Sequence, residues 1–202
     1  MEKECVEMSR NDKRSKFTET QQSSSKIFVI AGVVVVLVLA FGGFMLSKKP
    51  STVNPNAVNV GAVSYQKADF KAVTATETGG DIVLDMNQLQ TDKTVTFKIQ
   101  GINFSLANGT PFNYLPLLAY VSPKGNIVVA TSLCEPCSGT TFHVEGDHLV
   151  CNSCGTRWSL ESLQGISGGC TTYPPETVNY TVEGDKLIIK KADLENWQPR
   201  QV

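Results

Sequence analysis

The chain has 202 residues, with 18 Lys and Arg against 19 Asp and Glu and a formal net charge of −1. That length accommodates one ordinary domain with appendages. The charge balance leaves no excess of cations to neutralise a phosphate backbone, which argues against a nucleic acid partner.

Residues 1–26 are polar and of mixed charge, with no apolar period that could bury a face, and read as a disordered tail. Ile27 to Leu46 is then an uninterrupted uncharged run, IFVIAGVVVVLVLAFGGFML. At about 1.5 Å per residue its 20 residues match a hydrocarbon core of roughly 30 Å, so a single transmembrane helix is expected. Arg10, Lys13, Arg14, Lys16 and Lys26 precede it and only Lys48 and Lys49 closely follow, which orients residues 1–26 to the cytoplasm and the remainder outside. A cleaved leader would have a shorter apolar stretch and an A-x-A-like site, neither of which is present, so an uncleaved anchor in the cell membrane is expected. No Cys ends the run to take a lipid, and Cys5, in the cytoplasmic tail, is not a ligand candidate.

Residues 47–67, with Pro50 and Pro55 among small polar residues, read as a linker, and the extracytoplasmic domain is expected over 68–202. Its punctuation is that of strands. Val95, Phe97 and Ile99 alternate, then Ile102, Phe104 and Leu106, with Gln100 and Gly101 between them predicting a tight hairpin turn. Tyr114 to Val121 and Ile127 to Ala130 flank Ser122-Pro-Lys-Gly-Asn126 as a second hairpin, and Pro116 suggests an edge strand or a bulge. The segment Val144-Glu-Gly-Asp147 returns as Val182-Glu-Gly-Asp185, each followed by an apolar stretch, which predicts two hairpins with the same turn chemistry. Helix signals are confined to about one turn at Asp85 to Gln90 and another at Ala192 to Trp197. The domain is therefore expected to be mainly β, an antiparallel sandwich or small barrel.

The strongest chemical signal is a double Cys-x-x-Cys: Cys134 and Cys137, then Cys151 and Cys154. Such a spacing folds into a knuckle whose backbone N–H groups offset thiolate charge, and two knuckles complete an all-sulfur shell for zinc, a single iron or an iron–sulfur cluster. Gly155 fits the positive φ that often follows such a knuckle. Disulfides are the competing reading outside the cytoplasm, but closing either pair would staple a very short loop, and Cys170 would leave an odd thiol. Cys170 is a further candidate, as an exchange ligand, a redox partner or a small buried residue. His143 and His148, the only two histidines, are alternative ligands or hydrogen-bonding neighbours, although four sulfurs already suffice. Trp158 is expected in the core. No Ser/His/Asp set, paired catalytic carboxylates or phosphate-cradling Gly loop appears, so an electron carrier is expected over a stand-alone enzyme.

Two resemblances rest on these residues. VEGDHLVCNSCGTRWSL, the Gly-rich loop with Tyr173-Pro174-Pro175, and YTVEGDKLIIK resemble the second half of a Rieske domain, with cysteines in place of the two ligand histidines and a first knuckle one residue longer. That exchange removes the ligation which raises a Rieske potential. From about Asp81 to Leu194 the chain more closely resembles the FtrD-like family of membrane iron–sulfur proteins found with bacterial iron permeases. The matching pieces are GDIVLDMNQL, PKGNIVVATSLCEPC, EGDHLVCNSCGTRW and the Gly168-Gly169-Cys170 loop. The resemblance implies a Rieske-like ectodomain holding a 2Fe–2S cluster on Cys134, Cys137, Cys151 and Cys154. It also implies electron transfer with a redox partner protein, iron permease components among the candidates, in the service of iron uptake. A structural zinc site in a partner-binding ectodomain, or a thiol–disulfide relay through Cys170, are the alternatives.

Overall fold

The computed structural model describes residues 57–202. The expected tail, the helix over 27–46 and most of the linker lie outside the described residues. Among the described residues no helix is long and apolar enough to cross a membrane.

The fold is mainly β, as expected, and its strands fall into three sheets. The first has the order β2 (Lys71–Ala72), β5 (Thr94–Ser105), β6 (Pro111–Val121), β7 (Ile127–Thr131). The second runs β12 (Thr181–Glu183), β13 (Lys186–Lys190), β4 (Asp81–Asp85), β3 (Thr76–Thr78). The third, which carries the cysteine site, runs β1 (Lys67–Asp69), β8 (Phe142–Glu145), β9 (His148–Cys151), β10 (Arg157–Ser159), β11 (Gly165–Ser167). All pairings are antiparallel except β2 with β5.

Strands β6 and β7 organise the interior. Their sequences, YLPLLAYV and IVVA, are continuously apolar because both faces are covered, and alternation then sorts the side chains between two cores. Leu115, Leu117, Ala119, Ile127 and Val129 join the core built with the second sheet. Leu118, Tyr120, Val128 and Ala130 join the core beneath the cysteine sheet, with Phe142, Val144, Leu149 and Trp158. One ribbon thus serves as a wall of both cores.

The hairpin predicted at Gln100-Gly101 is corrected by the structure. Residues 94–105 form one long strand, and its register against β6 slips between Gln100 and Phe104. Gly101, at φ 83°, sits at that slip. A bulge and a tight turn both change the phase of an alternating pattern, and here the apolar positions pass from odd to even without reversing the chain. The β6–β7 hairpin forms as predicted, with Val121 opposite Ile127. Pro116 lies on a central strand, yet just past the end of β7, whose last partner is Leu117. The Pro116 carbonyl accepts from Ser132 N–H at 2.8 Å there, so the missing proline N–H costs the ladder little.

The repeated turn chemistry gives two hairpins, β8–β9 and β12–β13, each with a two-residue Gly-Asp loop. Gly146 and Gly184 both have φ 60°, as a type II′ turn demands at its first central position. The helical turn at Asp85 extends to α1 (Met86–Asp92), N-capped by Asp85, whose carboxylate accepts from Asn87 N–H at 2.8 Å. Near residue 192 a single 3₁₀ turn, Lys191–Asp193, is present.

Candidate metal centre

The two Cys-x-x-Cys segments fold into matching knuckles. In the first, Cys134 precedes a 3₁₀ turn, Glu135–Cys137, and Ser138 ends it in the left-handed region at φ 57°. In the second, Cys151 closes β9 and Gly155 takes the same role at φ 70°, the conformation expected for it. Each knuckle is shut at its base by the N–H of its first cysteine: Cys134 N–H donates to Gly139 O at 2.7 Å, and Cys151 N–H donates to Thr156 O at 3.0 Å. The repeated bond shows that each knuckle is closed by its own backbone.

The knuckles face one another across a narrow gap. A Cβ on Gly139 would stand 2.8 Å from both Cys151 Sγ and Ser153 Oγ, so only glycine permits this approach. The sulfurs pair across the gap, with Cys137 Sγ 3.7 Å from Cys151 Sγ and Cys134 Sγ 3.9 Å from Cys154 Sγ. Cys170 supplies a fifth sulfur, 3.8 Å from Cys154 Sγ. The sulfurs of Cys134, Cys137, Cys154 and Cys170 all lie within 4.8 Å of one another. None of the five is in a disulfide.

Thr156, fully buried, ties the third loop to the second knuckle. Its hydroxyl lies 3.2 Å from Cys154 Sγ and accepts from Cys170 N–H at 3.2 Å. Gly168, at φ 107°, lets that loop press against Thr156, because a Cβ there would meet Thr156 Oγ1 at 2.5 Å and Thr156 Cα at 2.6 Å. Thr156 and Gly139 carry no metal-ligand signature in the sequence, and Gly168 stands out there only as part of the Gly168-Gly169-Cys170 loop.

The two histidines stand apart from the sulfur group. His143 Nδ1 is 2.6 Å from Asn152 Oδ1, which steadies the second knuckle from outside. His148 Nδ1 lies 3.0 Å from Asp147 Oδ1 and 3.3 Å from Glu145 O, at the β8–β9 turn. Trp158 is fully buried, as expected, beside Phe142 with ring centroids 6.2 Å apart.

The thiols divide their protons unequally. A hydrogen bond from Cys134, followed by backbone N–H groups of Cys154 and Ser153, outweighs burial and lowers Cys151 to about 5. Its partner Cys134 is pushed up, first by that same bond and then by burial. Burial raises Cys137 to about 12. Burial also acts to raise Cys154, but bonds from the Thr156 side chain and backbone and from Cys137 prevail and hold it below its ordinary value. At neutral pH Cys151 thus favours the thiolate, while Cys134 and Cys137 hold their protons.

These shifts predict how the metal-free protein responds to pH. Cys151 ionises in the folded state near 5, below the free-thiol value of about 8.5, so its contribution is complete above that value and disappears as pH falls through about 5. Cys137 has the opposite sign: its contribution is complete below about 8.5 and disappears as pH rises towards about 12. Urea titrations of reduced, chelator-treated protein should therefore give a midpoint that climbs from pH 5 to about 8.5 and declines beyond it.

The donor set and its dimensions suit a thiolate-bound metal. A tetrahedral shell with metal–sulfur bonds near 2.3 Å separates neighbouring sulfurs by about 3.8 Å, and the three sulfur pairs, at 3.7, 3.8 and 3.9 Å, match that edge. Among known proteins, residues 100–200 match the family model described as "Membrane iron-sulfur containing protein FtrD-like". No curated protein matches the chain.

Proposed function

The chain belongs to the FtrD-like family of membrane iron–sulfur proteins, and we propose that it is a membrane-anchored electron carrier whose iron–sulfur centre is held by Cys134, Cys137, Cys151 and Cys154. The observation that carries this reading is the cross-knuckle pairing of sulfurs at 3.7 and 3.9 Å, a spacing at which one cysteine from each loop could share an iron. Bound there, the centre supplies a reversible one-electron change, at a potential below that of His-ligated centres because all its ligands are thiolates.

The chain's own residues prepare that chemistry. Backbone N–H groups of Ser153 and Cys154 face Cys151 and favour its thiolate, the form that binds metal. Cys134 and Cys151 are buried, which excludes water from one side, while Cys154 is exposed and offers the short route to a partner's redox group. The fold assigned to this reading is a Rieske-like ectodomain over residues 68–202, raised by the 47–67 linker from a helix at 27–46, with residues 1–26 cytoplasmic. Its partner is a redox protein of the membrane or the extracytoplasmic space, iron permease components among them, and the electron serves iron uptake.

A second reading is favoured by one observation. Cys134, Cys137, Cys154 and Cys170 form the compact quartet, a shell suited to a single tetrahedral zinc or iron. Metal and acid-labile sulfide analysis of the detergent-solubilised full chain, purified anaerobically, decides between them. About two irons and two sulfides per chain, with an EPR signal on reduction, support the cluster. One zinc and no sulfide would sink the electron carrier and leave a structural centre.

A further inference from the structure

The first knuckle contains an acid that stands outside the sulfur group. Glu135 lies between Cys134 and Cys137, and its side chain is only 3% exposed. A carboxylate so enclosed, next to cysteines that bind as thiolates, adds negative charge where negative charge already gathers. The structure offsets it from a segment 65 residues away. Arg200 Nε stands 3.0 Å from Glu135 Oε1 and 2.7 Å from Oε2, the Arg200 terminal nitrogen also contacts Oε2, and Arg200 backbone N–H donates to Oε1 at 2.8 Å.

The same guanidinium reaches the loop that carries the fifth thiol. It donates to Pro174 O at 2.6 Å and lies 5.6 Å from the Tyr173 ring centroid. Neighbouring residues hold the strap in place: Trp197 Nε1 donates to Glu176 Oε2 at 2.9 Å, and Gln198 Nε2 donates to Asn103 O at 3.1 Å. One arginine therefore joins the first knuckle, the Cys170 loop and the 197–201 strap.

We propose that Arg200 is a positioning residue of the metal centre: through Glu135 it fixes the Cys134–Cys137 knuckle and cancels a buried negative charge that would otherwise act on the metal. The inference rests on the metal-centre reading above and assigns this chain's own residues to it. It makes the strap part of the site, although no residue beyond 170 offers a ligand.

The test compares full-length wild type, R200Q, R200K and E135Q/R200Q, loaded with iron, by metal transfer to a chelator, one-electron midpoint potential and thermal midpoint. R200Q should release metal about tenfold faster or more, the range for losing a partner that orients a ligand. Its uncompensated carboxylate should disfavour reduction about tenfold, a negative displacement of about 59 mV for one electron. E135Q/R200Q removes both charges and should return the potential to near wild type. R200K keeps the charge but not the planar fork, so it should restore the potential more fully than the release rate.

A lower thermal midpoint in R200Q with unchanged potential and release rate would overturn the proposal and leave Arg200 a fold residue. If R200Q does not fold, R200K decides: faster release supports the proposal and wild-type release overturns it. A wild type that holds zinc would refute the electron-carrier reading yet leave the release comparison decisive. A wild type that holds no metal would overturn both.

Discussion

Replacing Cys134 by Ser should empty the metal centre and bring the thermal midpoint of the preparation down to that of chelated wild type. Cys134 has no exposed surface, its N–H closes the first knuckle on Gly139 O, and its sulfur faces Cys154 at 3.9 Å. A serine oxygen is a shorter and harder ligand, so the shell loses one of its thiolate corners. Because the unfolded chain has no assembled site, metal-binding free energy is folding free energy, on the order of 10 kcal/mol in small zinc domains. Metal analysis together with calorimetry measures both effects, and stoichiometric metal in Cys134→Ser would refute the assignment. Cys170→Ser is the informative companion: it should retain the metal if the cross-knuckle pairs bind it, and lose it if the compact quartet does.

The second large effect is expected in the core under the site. Trp158→Ala should cost about 3–5 kcal/mol, the range for deleting a buried aromatic, because the indole is fully buried and packs against Phe142. Trp158→Phe should cost much less. The indole Nε1 is buried without a hydrogen-bond partner among the described residues, so the benzyl ring gives up volume but also removes an unsatisfied donor. Urea unfolding of both variants with the metal chelated isolates the packing from the ligand shell. Equal losses for Ala and Phe would show that the nitrogen, not the ring volume, decides.

What the sequence revealed follows the range of the interactions involved. The knuckles and the two Gly-Asp hairpins are made by residues within about five positions of one another, so their spacing carries their geometry. The mainly β character was legible for the same reason. Gly101 was misread because local alternation records only a phase slip, and a turn and a bulge write the same slip. The three-sheet arrangement was not legible, since Ala68 meets Val144 and Asp81 meets Lys190 through pairings that no local pattern encodes. At the site, the candidates Cys134, Cys137, Cys151 and Cys154 followed from spacing, although the compact quartet takes Cys170 in place of Cys151. Their company did not: Thr156 acts through a loop 14 residues on, and Glu135 takes a partner 65 residues away that reads as one more surface arginine.

The sheet that joins β4 to β13 also imposes an order of events on a chain made from its N-terminus. Asp81 waits for Lys190, so the early strands keep an unpaired edge until nearly the whole domain has been synthesised. Folding slows as pairings between such distant strands make up more of the contacts. The knuckles, whose own bonds are local, can form before that sheet does, whereas the arginine paired with Glu135 in the first of them follows β13. The β4–β13 sheet and the Glu135–Arg200 pair are therefore both completed late in synthesis of the domain, after both knuckles have been made.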